Sequence, residues 1–217
     1  MIKAVIFDMD GLMFDTETLY NMAWTYAGQK HGYEIDAKVL DPMRGVNQET
    51  VRRLFREAFG EDFDFFEIRK SRVEYMERYI SEHGLPHKPG LTELLGYLKD
   101  KGYQIALATS TSRETALEYL EMEQVRDYFE VIVCGDMVKN SKPDPEIYLK
   151  AVSQLGRSPK ECVVLEDSPN GILSGYQAGC RVIMIPDCLN PGPEELKRTT
   201  AILDSLHDVI GYLESSV

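Results

Sequence analysis

The chain has 217 residues, 43% of them hydrophobic and 28% charged, which suits one packed domain with a smaller insert and excludes a disordered chain. No apolar stretch approaches the roughly 20 residues that span a bilayer, and the acidic Asp8 comes too early for the apolar region of a signal peptide. A formal net charge of −12 argues against coating a nucleic acid, so any chemistry on a phosphate needs a metal ion or a few local cations.

Residues 2–7, Ile-Lys-Ala-Val-Ile-Phe, predict a short buried strand that ends at Asp8-Met9-Asp10-Gly11. Residues 16–83 contain no strand pattern and predict helices near 17–29, 48–58 and 64–82. Val51, Leu54, Phe55 and Ala58 share one face of the second. The breakers His83-Gly84-Leu85-Pro86 mark the end of this block. Strand patterns then return at 104–109, 131–134, 162–166 and 181–185, with a weaker one at 201–203. Helical stripes lie between them: Leu91, Leu94, Leu95 and Leu98; Ala116, Leu117 and Leu120; then Ile147, Ala151 and Leu155 behind Asp144-Pro145. A further helix opens at Ser168-Pro169. Alternating strands and helices predict a parallel sheet covered on both faces. The helical block reads as a separate cap above the carboxyl ends of the strands, where open α/β sheets bind ligands. Cys134, Cys162, Cys180 and Cys188 show no C-x-x-C spacing, and the first two sit in apolar runs. Buried free thiols in a reducing, cytoplasmic compartment are expected.

Polar groups follow each strand. They are Asp8 and Asp10 after the first, Thr109-Ser110-Thr111 after the second, Lys142 in the loop beyond the third, and Glu166-Asp167 after the fourth. Carboxylates gathered in one crevice repel one another unless a cation neutralises them. A donor set of oxygens without His or Cys selects a hard ion, Mg2+ before Zn2+. With hydroxyls and a lysine, the set suits a tetrahedral anion. Two aspartates two residues apart can divide the work of nucleophile and general acid/base. An Asp-Gly pair alone often only makes a turn; four polar clusters in order, each at a strand end, point to a site.

At these residues the chain resembles the haloacid dehalogenase superfamily, in its sugar-phosphatase and β-phosphoglucomutase-like branch with a small helical cap. The stretch from Phe7 through Asp8, Asp10 and Asp15 to Glu17 is similar to the first motif, Ala108-Thr109-Ser110-Thr111 to the second, Lys142-Pro143-Asp144-Pro145 to the third, and Leu165 to Gly171 to the fourth. The resemblance implies a doubly wound parallel sheet with the first strand central, made of residues 1–15 and 84–217, and a cap of residues 16–83. It implies that Asp8 is the nucleophile, carrying an aspartyl-phosphate, and that Asp10 protonates the leaving alcohol and then activates water. Thr109, Ser110 and Lys142 bind phosphoryl oxygens, with help from Thr111. Mg2+ is held by Asp8, the Asp10 main-chain carbonyl and Asp167, with Glu166 behind them. The expected activity is hydrolysis of a small phosphomonoester, a sugar or polyol phosphate, chosen by Glu17, Tyr20 and Arg44 of the cap.

Two other readings share parts of this pattern. A β-phosphoglucomutase is similar, but where that family has a cap histidine and arginine, Tyr20 and Gln48 fall here. A receiver domain also uses an acidic cluster, a hydroxyl, a lysine and a phospho-aspartate. Its acceptor follows a later strand, and it has no helical insert. The cluster Arg69, Lys70 and Arg72 reads as a solvated helix face.

Overall fold

The computed structural model describes residues 1–43, 48–187 and 191–215, without the side chain of Gln48. Six parallel strands form one sheet in the order β3-β2-β1-β4-β5-β6. They are β1 (Ala4–Phe7), β2 (Gln104–Ala108), β3 (Val131–Val133), β4 (Cys162–Glu166), β5 (Arg181–Met184) and β6 (Ala201–Ile202). β1 is central, as expected. Its four residues are all fully buried, which explains why the strand reads as a continuous apolar run and not as an alternation. Phe7 is in register with Leu107 on one side and Leu165 on the other. Asp8, Thr109 and Glu166 therefore emerge at one end of the sheet, and the Asp8 N–H donates to Leu165 O at 3.1 Å.

The chain divides into two compact units, Met1–Asp15 with Pro86–Val217, and Thr16–Leu85. The second unit consists of α1 (Thr16–Lys30), the short α2 (Ala37–Leu40), α3 (Gln48–Phe59) and α4 (Phe65–His83). Its core is aromatic: Trp24, Phe55, Phe63 and Phe65 are buried together with Ile35 and Ile68. Asp64 opens α4 by accepting from the N–H groups of Phe66 and Glu67, each at 3.1 Å. Arg72 departs from the expected solvated face. Its guanidinium lies over the rings of Tyr20 and Trp24, 4.8 and 5.6 Å from their centres, because planar cations stack on aromatic faces. Arg69 and Lys70 are exposed.

In the first unit the helices are α5 (Leu91–Asp100), α6 (Arg113–Met122), α7 (Glu146–Gln154), α8 (Pro169–Gln177), α9 (Pro193–Arg198) and α10 (Asp208–Ser215). Ala4, Ile6, Val164 and Val182 of the sheet pack with Ile147, Tyr148 and Ala151 of α7 and Ile172 of α8. The four leucines of the α5 stripe are also buried, with α5 against β2. The connection leaving the first unit and the one returning to it lie side by side. The Asp15 N–H donates to Pro86 O at 2.8 Å and the Lys88 N–H to Met13 O at 2.9 Å.

Candidate active site

Glu166 anchors the site. It is the last residue of β4 and has no exposed surface. Its Oε1 accepts from Lys142 Nζ at 2.7 Å and from the Tyr148 hydroxyl at 2.7 Å. Its Oε2 accepts from the Asp167 N–H, the Ser168 N–H and the Ser168 hydroxyl, at 3.0, 3.1 and 3.0 Å. Ser168 also caps α8 through the Gly171 N–H at 3.1 Å. Lys142 Nζ bridges Glu166 to Asp8, donating to Asp8 Oδ1 at 2.5 Å, and sits 4.9 Å from the centre of the Tyr148 ring. The loop that delivers Lys142 is fixed by Glu146, whose carboxylate accepts from the N–H groups of Lys139 and Asn140, each at 2.9 Å.

The loop after β2 closes the other side. Thr109 is fully buried, and its hydroxyl accepts from the Thr111 N–H at 3.1 Å. Ser110 is exposed. The Thr111 hydroxyl donates to Asp10 Oδ2 at 2.6 Å, so the loops after β1 and β2 are joined side chain to side chain.

Charge in this cluster is unevenly settled. Burial works against ionisation of Glu166, but Lys142 and the Tyr148 hydroxyl outweigh it and hold its carboxyl below the usual range. Burial would likewise lower Lys142, yet Asp8 and Glu166 keep it well above the ordinary lysine value. Burial pushes Asp8 up to about 7, aided by Glu166 and Asp10 and opposed by Lys142. Asp167 is raised well above its ordinary value, first by burial and then by Glu166 and Asp8. Asp8, Glu166 and Asp167 each bring a carboxylate oxygen within 4.8 Å of the others. The donors on Glu166 already fill its acceptor capacity. Asp167 Oδ1, by contrast, is buried with no hydrogen-bond partner among the described residues. Lys142 facing Asp8 and Glu166, with an orphaned buried oxygen of Asp167 beside them, fits a bound cation, and oxygen donors fit a hard one.

The haloacid dehalogenase-like hydrolase family profile matches residues 5–185. The chain belongs to this family. As a haloacid dehalogenase-like hydrolase it is an enzyme, a phosphoric monoester hydrolase like its named phosphatase relatives. A phosphorylated carbohydrates phosphatase of Thermotoga maritima is 36% identical over 98% of this chain and 99% of its own. Hexitol phosphatase A of Escherichia coli is 34% identical, over 84% of this chain and 82% of its own. A crystal structure from Thermotoga maritima that carries the provisional name β-phosphoglucomutase is 34% identical, with a TM-score of 0.85 and both chains fully covered.

In this haloacid dehalogenase-like hydrolase Asp8, Asp10, Thr109, Lys142, Glu166 and Asp167 stand at one end of the sheet. Glu17 and Tyr20 lie in the first turns of α1, in the helical unit; Tyr20 meets Trp24 edge-on with ring centres 6.0 Å apart. Trp24 is buried in the aromatic core of that unit, so it serves packing. Arg44 lies outside the described residues, as does Cys188; the other three cysteines are buried and free. The site also contains residues that the sequence reading does not single out. Asp187, beyond β5, is paired with Lys88, and it adds to the negative field on Asp167. Tyr148 shares the α7 stripe with Ile147 and Ala151, so its spacing signals only core.

Proposed function

We propose that this enzyme is a Mg2+-dependent phosphatase of small phosphorylated carbohydrates, sugar or polyol phosphates, acting in the cytoplasm through a phosphorylated Asp8. The observation that carries the reading is Lys142 bridging Asp8 and Glu166 beside the unpartnered Asp167 oxygen. The names of the Thermotoga maritima and Escherichia coli relatives support the substrate class. Among the described residues no helix is long and apolar enough to cross a membrane.

The carboxylates of Asp8 and Asp167 and the main-chain carbonyl of Asp10 would hold Mg2+, which would supply the positive charge that offsets repulsion between Asp8 and the phosphate. Glu166, saturated by its donors, holds Lys142 in place. Lys142, Thr109 and Ser110 take the phosphoryl oxygens and stabilise charge on them during in-line transfer. An Asp8 oxygen attacks phosphorus, the bond from phosphorus to the alcohol oxygen breaks, and Asp10 gives that oxygen a proton. Asp10 then takes a proton from water as the water oxygen attacks phosphorus. The bond to Asp8 breaks, and inorganic phosphate leaves. The helical unit acts as the cap that selects substrate, with Glu17, Tyr20 and Arg44 as its selecting residues.

A panel of sugar and polyol phosphates, read by phosphate release with Mg2+ and with EDTA, tests this. Release from at least one member at kcat/KM above about 10^4 M−1 s−1, abolished by EDTA and restored by Mg2+, is expected. The same panel includes β-glucose 1-phosphate with a coupled assay for glucose 6-phosphate. Isomerisation faster than phosphate release would replace the phosphatase by a phosphomutase.

A further inference from the structure

We propose that Thr111 is the positioning residue for Asp10, fixing which carboxylate oxygen meets the leaving group. The inference rests on the reading of Asp10 as general acid. Thr111 stands at the end of the loop after β2 and is half-buried. Its main chain already ties the neighbouring loops together without its side chain. The N–H donates to Thr109 Oγ1 at 3.1 Å, and the carbonyl accepts from the Gly135 N–H at 3.0 Å. The fit there is tight: a Cβ on Gly135 would stand 2.2 Å from Ser110 O. The backbone is thus held independently of the hydroxyl, and the hydroxyl reaches Asp10 Oδ2 at 2.6 Å. That separation lies in the range of a charge-assisted O–H···O bond.

A threonine hydroxyl has one proton to donate. Once it is spent on Asp10 Oδ2, that oxygen acts as acceptor in both protonation states. The transferable proton of Asp10 then resides on Oδ1 and leaves from there to the alcohol oxygen as the phosphorus–oxygen bond breaks. Without Thr111 the carboxyl can rotate and offer either oxygen, and a misdirected acid loses much of the roughly 10^2 to 10^4 that general acid catalysis supplies.

The leaving group makes the role measurable. p-Nitrophenolate departs without a proton, whereas a sugar or polyol alkoxide needs one. The test compares kcat/KM, which reports phosphoryl transfer to Asp8, for p-nitrophenyl phosphate and for the best alkyl phosphate of the panel above. The ratio of alkyl to aryl values is internal to each preparation, so a partly misfolded fraction cancels. Thr111→Val should lower the ratio at least tenfold, and Thr111→Ser should keep it within about threefold of wild type, on general-acid magnitudes. Asp10→Asn sets the scale and should lower it at least as far as Thr111→Val. Equal losses on both substrates in Thr111→Val would mean that the hydroxyl only shapes the loop or binds phosphate, and would overturn the proposal, as would no loss on either. If Asp10→Asn left the ratio unchanged, the general-acid reading itself would fail and this inference with it. If Asp10→Asn lowers the ratio and Thr111→Val does not, the inference alone fails.

Discussion

Gly171 shows how little freedom the residues around Glu166 have. A Cβ there would stand 1.7 Å from Glu166 Oε1 and 1.9 Å from its Cδ. Gly171→Ala must therefore push the carboxylate off Lys142 and Tyr148. Breaking a buried pair of this kind costs about 3–5 kcal/mol, and turnover should fall at least a hundredfold, since Lys142 loses its anchor. Denaturant unfolding and phosphate release measure both; a variant with wild-type stability would show that Glu166 has room to move. Gly11 is held by the same logic, with φ of +81° and Asp167 Oδ2 2.4 Å from the place of a Cβ. On the proposed mechanism Asp8→Asn removes the attacking carboxylate, and less than a hundredth of wild-type turnover should remain while the fold persists. Residual turnover above a tenth would exclude Asp8 as the covalent carrier. The residues that follow strands were readable because each strand announces itself as an apolar run. Asp187 and Lys88 were not, because their pairing joins positions far apart in the chain and neither sits in a periodic pattern. The Tyr148 hydroxyl was invisible because its ring obeys the helix stripe.

At the scale of elements, α3 and α4 depend on a stack of rings. Phe55 lies 4.6 Å from Trp24 and 4.9 Å from Phe63 between ring centres. Phe55→Ala should cost about 3–5 kcal/mol, the usual loss for a buried aromatic, and should fall mainly on the helical unit. Hydrogen exchange resolves this: amides of α3 and α4 should lose protection while those of β1 and β4 keep theirs. Equal loss in both units would mean that they unfold together. The α3 stripe, the Ser168 cap and five of the strands were legible in apolar periodicity and end signals. α9 was not, since none of its residues is fully buried; Glu194 pairs with the exposed Lys197 and the half-buried Arg198. The helix lies against α8 without burying an apolar residue, and so writes no stripe. β6 is only two residues long and half-buried, which is why its pattern was weak.

For the molecule as a whole, the raised acids set how stability follows pH. In the metal-free protein Asp8, pushed up to about 7, and Asp167, also raised, hold protons that the unfolded chain has already released above about pH 4. The native state then binds more protons, so stability falls as pH rises from about 4 through 7. Melting in EDTA should show this decline, and Asp8→Asn should flatten it. Mg2+ bound as proposed would displace those protons, so its affinity should rise between pH 6 and pH 8, by up to about tenfold per unit for each proton displaced below pH 7. Calorimetry in buffers of different ionisation enthalpy counts the protons; none released would contradict a cation among these acids. The central place of β1 has a consequence in time. Its partners are Gln104–Ala108 and Cys162–Glu166. At 5–20 residues per second, the second arrives about 8–30 s after β1 leaves the ribosome tunnel's start, a delay set by synthesis and not by the strand itself. During it Ala4–Phe7 is an apolar segment without its second neighbour. Nascent chains arrested before residue 162 should bind holdase chaperones or aggregate, and released full-length chains should not. The strand leading into Asp8 is thus the first one synthesised and must wait for the fourth before it is enclosed.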